Sequence, residues 1–276
     1  MSLRLWLSYL RSAKGDTPHW QLLLQRFVPD AWEQMSREAS DADCLKRKGR
    51  HLVAGMLIDA FRTQRCDDAT YEGEVFINRD DAPDVEGTRE EHLVKRLYLQ
   101  CLKSPTDPGC LVLEQEKTWL LGWQFPTQGG DKEKSRRADL VGVRQDGGLV
   151  VFECKREDNR DSLLIAILEG LDYLACLLQN GNFSKLTRGF EGWKGQRSVS
   201  GAIPTGFDEV LPEISAEPWV VLLAPKQYYQ MQLRGSRRSG SVNLACAMMA
   251  DAKCVVGVRL VVTDFSTNEA ELLQWR

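Results

Sequence analysis

Two short apolar segments joined by a glycine-containing turn carry the residues whose types and spacing could do chemistry. Asp139 lies near the start of the first segment, and Glu153 and Lys155 lie at the end of the second. Side chains alternate along a strand, so the Glu153 carboxylate and the Lys155 ammonium point to one face. If Asp139 shares that face, the two carboxylates form a hard-oxygen site of the kind that Mg²⁺ and Mn²⁺ prefer. Such a site suits phosphodiester hydrolysis, in which a metal neutralises developing charge and lowers the pKa of water.

The loop between the two segments decides whether Asp139 joins Glu153. A three-residue loop at 145–147, with Gly147 left-handed, sets Asp139 directly opposite Glu153. A two-residue Asp146-Gly147 turn instead sets Asp139 opposite Cys154 and turns the two carboxylates apart. We predict the three-residue loop.

A plainer interpretation of the same residues is an ion pair at the edge of a sheet, in which Lys155 only neutralises Glu153. An isolated Glu-x-Lys at the end of a strand usually has that structural role. Under this alternative the segment holds no metal and does no chemistry.

The Asp139 and Glu153-Cys154-Lys155 spacing, framed by two apolar strands and a following amphipathic helix, resembles the PD-(D/E)XK nuclease superfamily. Ala138 stands where the first half-motif commonly has proline. The resemblance covers roughly residues 87–224. It implies an α/β, restriction-endonuclease-like αβββαβ core, with a central mixed sheet flanked by helices.

The resemblance also implies roles for the site residues. Asp139 and Glu153 would bind the metal, the Cys154 backbone carbonyl could add a ligand, and Lys155 would help to activate water. A glutamate of the first core helix often completes the metal shell, and Glu90 is the expected match, with Glu91 close behind. A Gln and a Tyr one turn apart often follow in the next helix, and their positions are matched here by Glu169 and Tyr173.

The charge of the chain is unevenly distributed. The formal net charge is −3, from 36 Lys+Arg and 39 Asp+Glu, which gives no global attraction to nucleic acid. Residues 67–91 nevertheless hold ten acidic residues and two arginines, whereas residues 226–259 hold six basic residues and one aspartate. The candidate nucleic-acid-binding residues are local basic side chains, for which an ordinary solvated surface is the alternative: Arg136, Arg137, Lys185, Arg188, Lys194, Arg197, Arg237 and Arg238.

Periodicity and composition divide the chain into three parts. Residues 1–66 are predicted to be mainly helical, residues 67–86 to be an acidic linker, and residues 87–276 to be the nuclease-like domain. In that domain we expect a helix from about residue 88, strands at 111–119, 138–144 and 149–155, a helix at 162–179, a strand at 219–224, a helix near 242–252 and a strand at 254–262. The N-terminal helices carry no recognisable chemical motif.

Other classes of protein are excluded or disfavoured. The eight cysteines have no zinc-ribbon spacing, and there is neither a phosphate-binding P-loop nor a serine-hydrolase elbow. Glu169 interrupts the longest apolar stretch, so we expect a soluble, cytoplasmic protein that contacts no membrane.

These patterns together predict a Mg²⁺- or Mn²⁺-dependent nuclease that acts on DNA, with RNA possible. The alternative is a catalytically degenerate protein that binds nucleic acid or a partner. A homodimer, or a partner protein bound through the N-terminal region, is a further possibility.

Overall fold

The structure is a computed structural model of the chain, and it describes residues 2–65, 89–106, 108–127, 137–179, 182–189, 191, 215–232 and 256–273. Three predictions fall outside these residues: the 67–86 linker, the helix near 242–252 and most of the basic residues after Gly189. The boundaries of the three-part division remain a prediction.

Four helices form the N-terminal region: α1 (Leu3–Ser12), α2 (His19–Phe27), α3 (Pro29–Glu38) and α4 (Ala42–Arg65). The Ser2 hydroxyl caps α1 by accepting a hydrogen bond from the Leu5 N–H. Pro29 occupies the first turn of α3, where a missing N–H costs nothing. Helix α1 buries an apolar stripe at three- and four-residue spacing, formed by Leu3, Trp6, Leu7 and Leu10.

The rest of the described chain combines strands and helices. It consists of α5 (Glu90–Lys103), β1 (Cys110–Leu113), β2 (Glu116–Pro126), β3 (Arg137–Arg144), β4 (Gly148–Cys154), α6 (Leu163–Leu177), α7 (Asn182–Gly189), β5 (Ser215–Ala224), α8 (Lys226–Gln232), β6 (Gly257–Val262) and β7 (Glu269–Leu272).

The prediction of an open restriction-endonuclease-like sheet flanked by helices is wrong. The described strands form a closed barrel in the order β1 to β7, because β7 pairs antiparallel with β6 and parallel with β1. Strand β7 has only four residues, so its alternating pattern is too short to stand out in the sequence. It supplies hydrogen-bonding partners that an open sheet would lack at its two edges.

The predicted strand at 111–119 is also two strands rather than one. Strands β1 and β2 meet at a tight turn formed by Glu114 and Gln115, whose φ angles are 56° and 133°. Neither residue is a glycine, so the sequence gives little indication that the chain reverses here.

Alternate residues of the sheet face two different groups of helices. Val141 and Val151 belong to one apolar cluster with α1, α2, α4 and α6, whereas Leu140 and Phe152 belong to a second cluster with α5. Odd-numbered positions of β3 and β4 therefore face α6. Glu153 is an odd-numbered position, so the alternation aims it at that helix. Asp139 lies just before the part of β3 that pairs with β4.

Helix α6 is buried along almost its whole length, as an apolar helix in a core should be. Gly170 allows it to lie close to β5, since a Cβ at this position would come within 2.4 Å of a Val220 methyl carbon. This close approach brings the polar residues of α6 up to the end of β4.

No single helix among the described residues is long and apolar enough to cross a membrane.

Candidate active site

The hairpin register that the site requires is present. Gly147 has a φ of 85°, and Leu140 pairs with Phe152 and Val143 with Leu149 across the hairpin. Asp139 and Glu153 lie one position beyond the last of these pairs, which is formed by Leu140 and Phe152. The prediction of the three-residue loop is therefore confirmed.

Local hydrogen bonds explain why this loop forms. The Asp146 carboxylate accepts hydrogen bonds from the Gly148 N–H at 2.9 Å and from the Arg144 guanidinium. The Gly147 N–H donates to the Arg144 carbonyl at 2.9 Å. The turn is thus closed by backbone and aspartate contacts, with Gly147 in the left-handed conformation that glycine adopts without cost.

Asp139 is held by two protein donors. Its Oδ1 accepts a hydrogen bond from Gln124 Nε2 at 3.0 Å, and its Oδ2 accepts one from the Cys154 N–H at 2.8 Å. Burial raises the pKa of Asp139 to about 7, with further increases from Glu90 and Glu169, although Lys155 and the Cys154 N–H oppose the rise. At neutral pH this carboxyl is poised between its two protonation states.

Lys155 lies at the centre of a group of carboxylates. Its Nζ donates to Glu153 Oε1 at 2.7 Å and to Glu169 Oε2 at 3.1 Å, and the side chain is 4% exposed. Glu90 Oε1 and Asp161 Oδ2 each lie 3.9 Å from the same nitrogen. Burial alone would lower the pKa of Lys155, but the surrounding carboxylates outweigh it and raise the pKa well above its ordinary value. Lys155 is therefore a permanent cation.

The two carboxylate oxygens of Glu153 have different surroundings. Oε1 accepts from Lys155, but Oε2 is buried and has no hydrogen-bond partner in the part of the chain that the structure describes. Burial raises the pKa of Glu153 well above its ordinary value, and the nearby Asp139 and Glu169 add to the rise against Lys155. An unpaired buried carboxylate oxygen is costly unless a proton or a cation neutralises it.

Glu90 reaches the same group from the first turn of α5. Its Oε2 accepts hydrogen bonds from the Arg156 N–H at 3.2 Å and from Asn159 Nδ2 at 2.8 Å, which ties the loop after β4 to the start of α5. Glu91 instead contacts Arg89 and His92 at the surface. The structure thus brings Glu90 to the group and leaves Glu91 outside it.

Glu169 enters the group from α6 and also contacts the N-terminal region. Its Oε1 accepts a hydrogen bond from Arg11 Nη2 of α1. Tyr173 lies one helical turn further along α6 and is partly buried.

Two members of this group were missed by sequence reasoning, namely Arg11 and Asp161. Asp161 Oδ2 lies 3.9 Å from Arg11 Nη2 as well as from Lys155 Nζ. Its backbone carbonyl accepts from the Tyr228 hydroxyl and from Gln232 Nε2 of α8, each at 3.0 Å. No sequence signal indicates Arg11, whereas Asp161 could have been noticed as the acidic residue just before the Ser162 cap of α6.

We call the seven converging side chains the Lys155 cluster: Glu90, Asp139, Glu153, Asp161 and Glu169 as carboxylates, with Lys155 and Arg11 as cations. Five carboxylates against two cations leave an excess of negative charge when all are ionised. The Cys154 backbone follows Glu153 along the same strand and contacts Asp139 directly.

The cluster has the donor chemistry of a Mg²⁺ or Mn²⁺ site, with hard carboxylate oxygens, one of them unpaired, and excess negative charge. Four of its carboxylates lie within 3.9 Å of Lys155 Nζ, however, and no three His, Cys, Asp or Glu side chains among the described residues are grouped to hold a metal. Glu153 Oε2 and the Asp139 carboxylate are the groups best placed to bind a cation.

The predicted nucleic-acid-binding residues are only partly described. Arg137 is exposed at the start of β3, two residues before Asp139. Arg188 is exposed and Lys185 half-buried on α7. The other five lie outside the described residues: Arg136, Lys194, Arg197, Arg237 and Arg238.

No protein-family model matches the sequence, and comparisons with curated proteins and with solved structures find no match either.

Proposed function

We propose that this protein is a metal-dependent nuclease that hydrolyses phosphodiester bonds of DNA. The proposal depends on one observation: Asp139 and Glu153 lie just beyond the paired residues of a hairpin, Glu153 contacts a buried lysine, and within the described residues Glu153 Oε2 is buried without a hydrogen-bond partner. It is drawn from the chemistry of the site, since the open nuclease-like sheet is not present. A cytoplasmic location belongs to the same proposal.

The residues of the cluster would have different roles in metal binding and charge compensation. Asp139 and Glu153 would hold the ion, with Glu90 and the Cys154 carbonyl as further candidates. A bound Mg²⁺ or Mn²⁺ would supply Lewis-acid stabilisation of the charge that develops on the phosphate. Lys155 stays protonated, so it does not act as a general base. It holds the Glu153 and Glu169 carboxylates in position and compensates part of their charge.

A second candidate is a degenerate protein that binds nucleic acid or a partner without cleaving it. Two contacts favour it: Lys155 Nζ occupies the centre of the carboxylates, and both oxygens of Asp139 already accept hydrogen bonds. Under this alternative the cluster is a buried ion network that no longer binds metal.

Cleavage assays test the proposal directly. Single-stranded, double-stranded and branched DNA and RNA would be incubated with the protein in Mg²⁺, Mn²⁺ or EDTA. We expect metal-dependent cleavage of DNA, and a loss of at least about a hundredfold in Asp139→Asn and Glu153→Gln, because each substitution removes a charge that stabilises the transition state. Glu157→Gln, which neutralises an exposed carboxylate four residues after Glu153, should cleave normally.

Metal binding separates the two candidates. If Glu153 Oε2 and Asp139 bind a cation, Mn²⁺ or Ca²⁺ should raise the Tm of the wild type at pH 8 but not that of Glu153→Gln. Equal cleavage by wild type and Glu153→Gln would overturn the nuclease assignment. Absence of both cleavage and a metal-induced Tm shift would favour the degenerate protein.

A further inference from the structure

Arg11 of helix α1 is a half-exposed cation at the edge of the Lys155 cluster. The Arg11 side chain is 47% exposed, and Nη2 contacts Glu169 and lies 3.9 Å from Asp161. All contacts of Arg11 within the described residues run through Nη2. Nε and Nη1 are therefore available to a ligand that approaches from solvent.

Lys155 is poorly placed to bind a ligand that approaches from solvent. It is almost completely buried, and its ammonium donates to two carboxylates. A phosphodiester that approached the cluster would meet the excess charge of the carboxylates before it reached Lys155. Arg11 is the cation of the cluster that solvent reaches.

We infer that Arg11 is a substrate-binding residue that donates hydrogen bonds to the non-bridging oxygens of a phosphodiester at the cluster. The inference rests on the proposed function and names the residue that recognises its substrate. A guanidinium suits this role because its planar N–H groups match the geometry of phosphate oxygens. Glu169 holds the Nη2 group of Arg11, whereas Nε and Nη1 have no hydrogen-bond or ion-pair partner among the described residues.

The position of Arg11 is set by the packing of α1. The apolar stripe of this helix is buried against α2, α4 and α6, and Arg4 at its opposite end lies 3.4 Å from the buried Asp172 carboxylate of α6. Arg11 lies in the last turn of α1, where the helix dipole favours a positive charge. Burial alone would lower the pKa of Arg11, but Glu169 and Asp161 raise it, so the charge persists at all working pH values.

Binding of a labelled oligonucleotide tests the inference without requiring turnover. Fluorescence anisotropy would be measured in Ca²⁺ over a range of salt concentrations, with the wild type, Arg11→Ala and Arg11→Lys. The matched control is Arg26→Ala, which removes an exposed arginine from the last turn of α2. Urea unfolding of each variant would verify that the fold is retained.

We expect Arg11→Ala to weaken binding by about tenfold, as the loss of one charge-assisted hydrogen-bonded contact should. The slope of log K against log salt should fall by about 0.9 on duplex DNA, because one phosphate contact is lost. Arg11→Lys should restore the slope but only part of the affinity. A structural role alone would leave the slope unchanged.

The outcomes separate this inference from the proposed function. If the wild type cleaves DNA but Arg11→Ala binds with the affinity and slope of Arg26→Ala, the inference is overturned and the nuclease assignment stands. If Arg11→Ala loses binding but the wild type does not cleave, Arg11 binds phosphate in a protein that is not a nuclease. If the wild type does not bind the oligonucleotide at all, both proposals are overturned.

Discussion

Two carboxylates of α6, Glu169 and Asp172, lie three residues apart and each meets an arginine of α1, but their surroundings differ. Asp172 is fully buried and is balanced locally by the Arg4 guanidinium at 3.4 Å and by Gln64 Nε2 of α4 at 2.6 Å. Glu169 instead belongs to the Lys155 cluster, in which carboxylates outnumber cations by five to two.

The difference lies in how the charge of each carboxylate is compensated. The Asp172 charge has its own cation and hydrogen-bond donor, although Arg4 Nε and Gln64 Oε1 are themselves buried without a hydrogen-bond partner among the described residues. Within the described residues, the Lys155 cluster has a buried carboxylate oxygen without a hydrogen-bond partner and two carboxyls with raised pKa values, so protons or a cation would stabilise it. Strongly perturbed pKa values of this kind cluster at functional sites, which is why the cluster is the candidate site.

The largest expected effect comes from removing the central cation of the cluster. Lys155→Met should lower the free energy of unfolding by about 3–5 kcal/mol at pH 8, because it leaves the Glu153 and Glu169 carboxylates buried without their shared partner. Urea denaturation measures this, with the exposed Lys46→Met as the control. The loss should shrink at pH 5, where a proton can neutralise Glu153. Wild-type stability at pH 8 would contradict the central role of Lys155.

The next effect contrasts the two carboxylates of α6. Asp172→Ala should cost about 2 kcal/mol of stability, since Gln64 loses its acceptor and Arg4 its counter-charge, yet leave cleavage by the folded protein unchanged. Glu169→Gln should have the opposite effects. The stability of the protein should change little, but the rate of cleavage should fall by about tenfold, because a charge that positions Lys155 and Arg11 is lost. If both variants lose activity equally, the distinction between the carboxylates is wrong.

The smallest effect is a pH dependence with a defined sign. Folding raises the pKa of Asp139 to about 7, so the folded protein binds more protons than the unfolded chain between about pH 4 and 7. This group therefore makes the metal-free protein less stable as the pH rises through that window. In EDTA, Asp139→Asn should have a Tm about 2–4 °C above the wild type at pH 8 and a similar Tm at pH 4.

The control for that measurement is a carboxylate whose pKa shift has the opposite sign. The exposed Asp158 has a lowered pKa because of its hydrogen bonds to Arg156. Asp158→Asn should give no gain in Tm at pH 8. A wild-type curve parallel to that of Asp139→Asn would show that folding does not raise the pKa of Asp139.

Whether a feature was predictable from the sequence depends on how far apart along the chain its interacting residues lie. The hairpin register was predictable because Gly147 and Asp146 set the loop within a few residues. The closure of the barrel was not, since Val112 pairs with Glu269 across most of the domain and β7 is too short to give a clear pattern. The turn at Glu114 was missed because a non-glycine residue with positive φ leaves no trace in composition.

The sequence by itself determined the alternation that places Glu153 and Lys155 on one face, because period two is a property of every strand. The Asp146-Gly147 turn set the register that brings Asp139 to the same end of the hairpin. Only the tertiary structure decided that Arg11 and Asp161 join them and that α6 brings Glu169 within reach. These partners come from segments distant along the chain. Their meeting depends on how α1 and α6 pack on the sheet, which the shapes of many apolar side chains determine together.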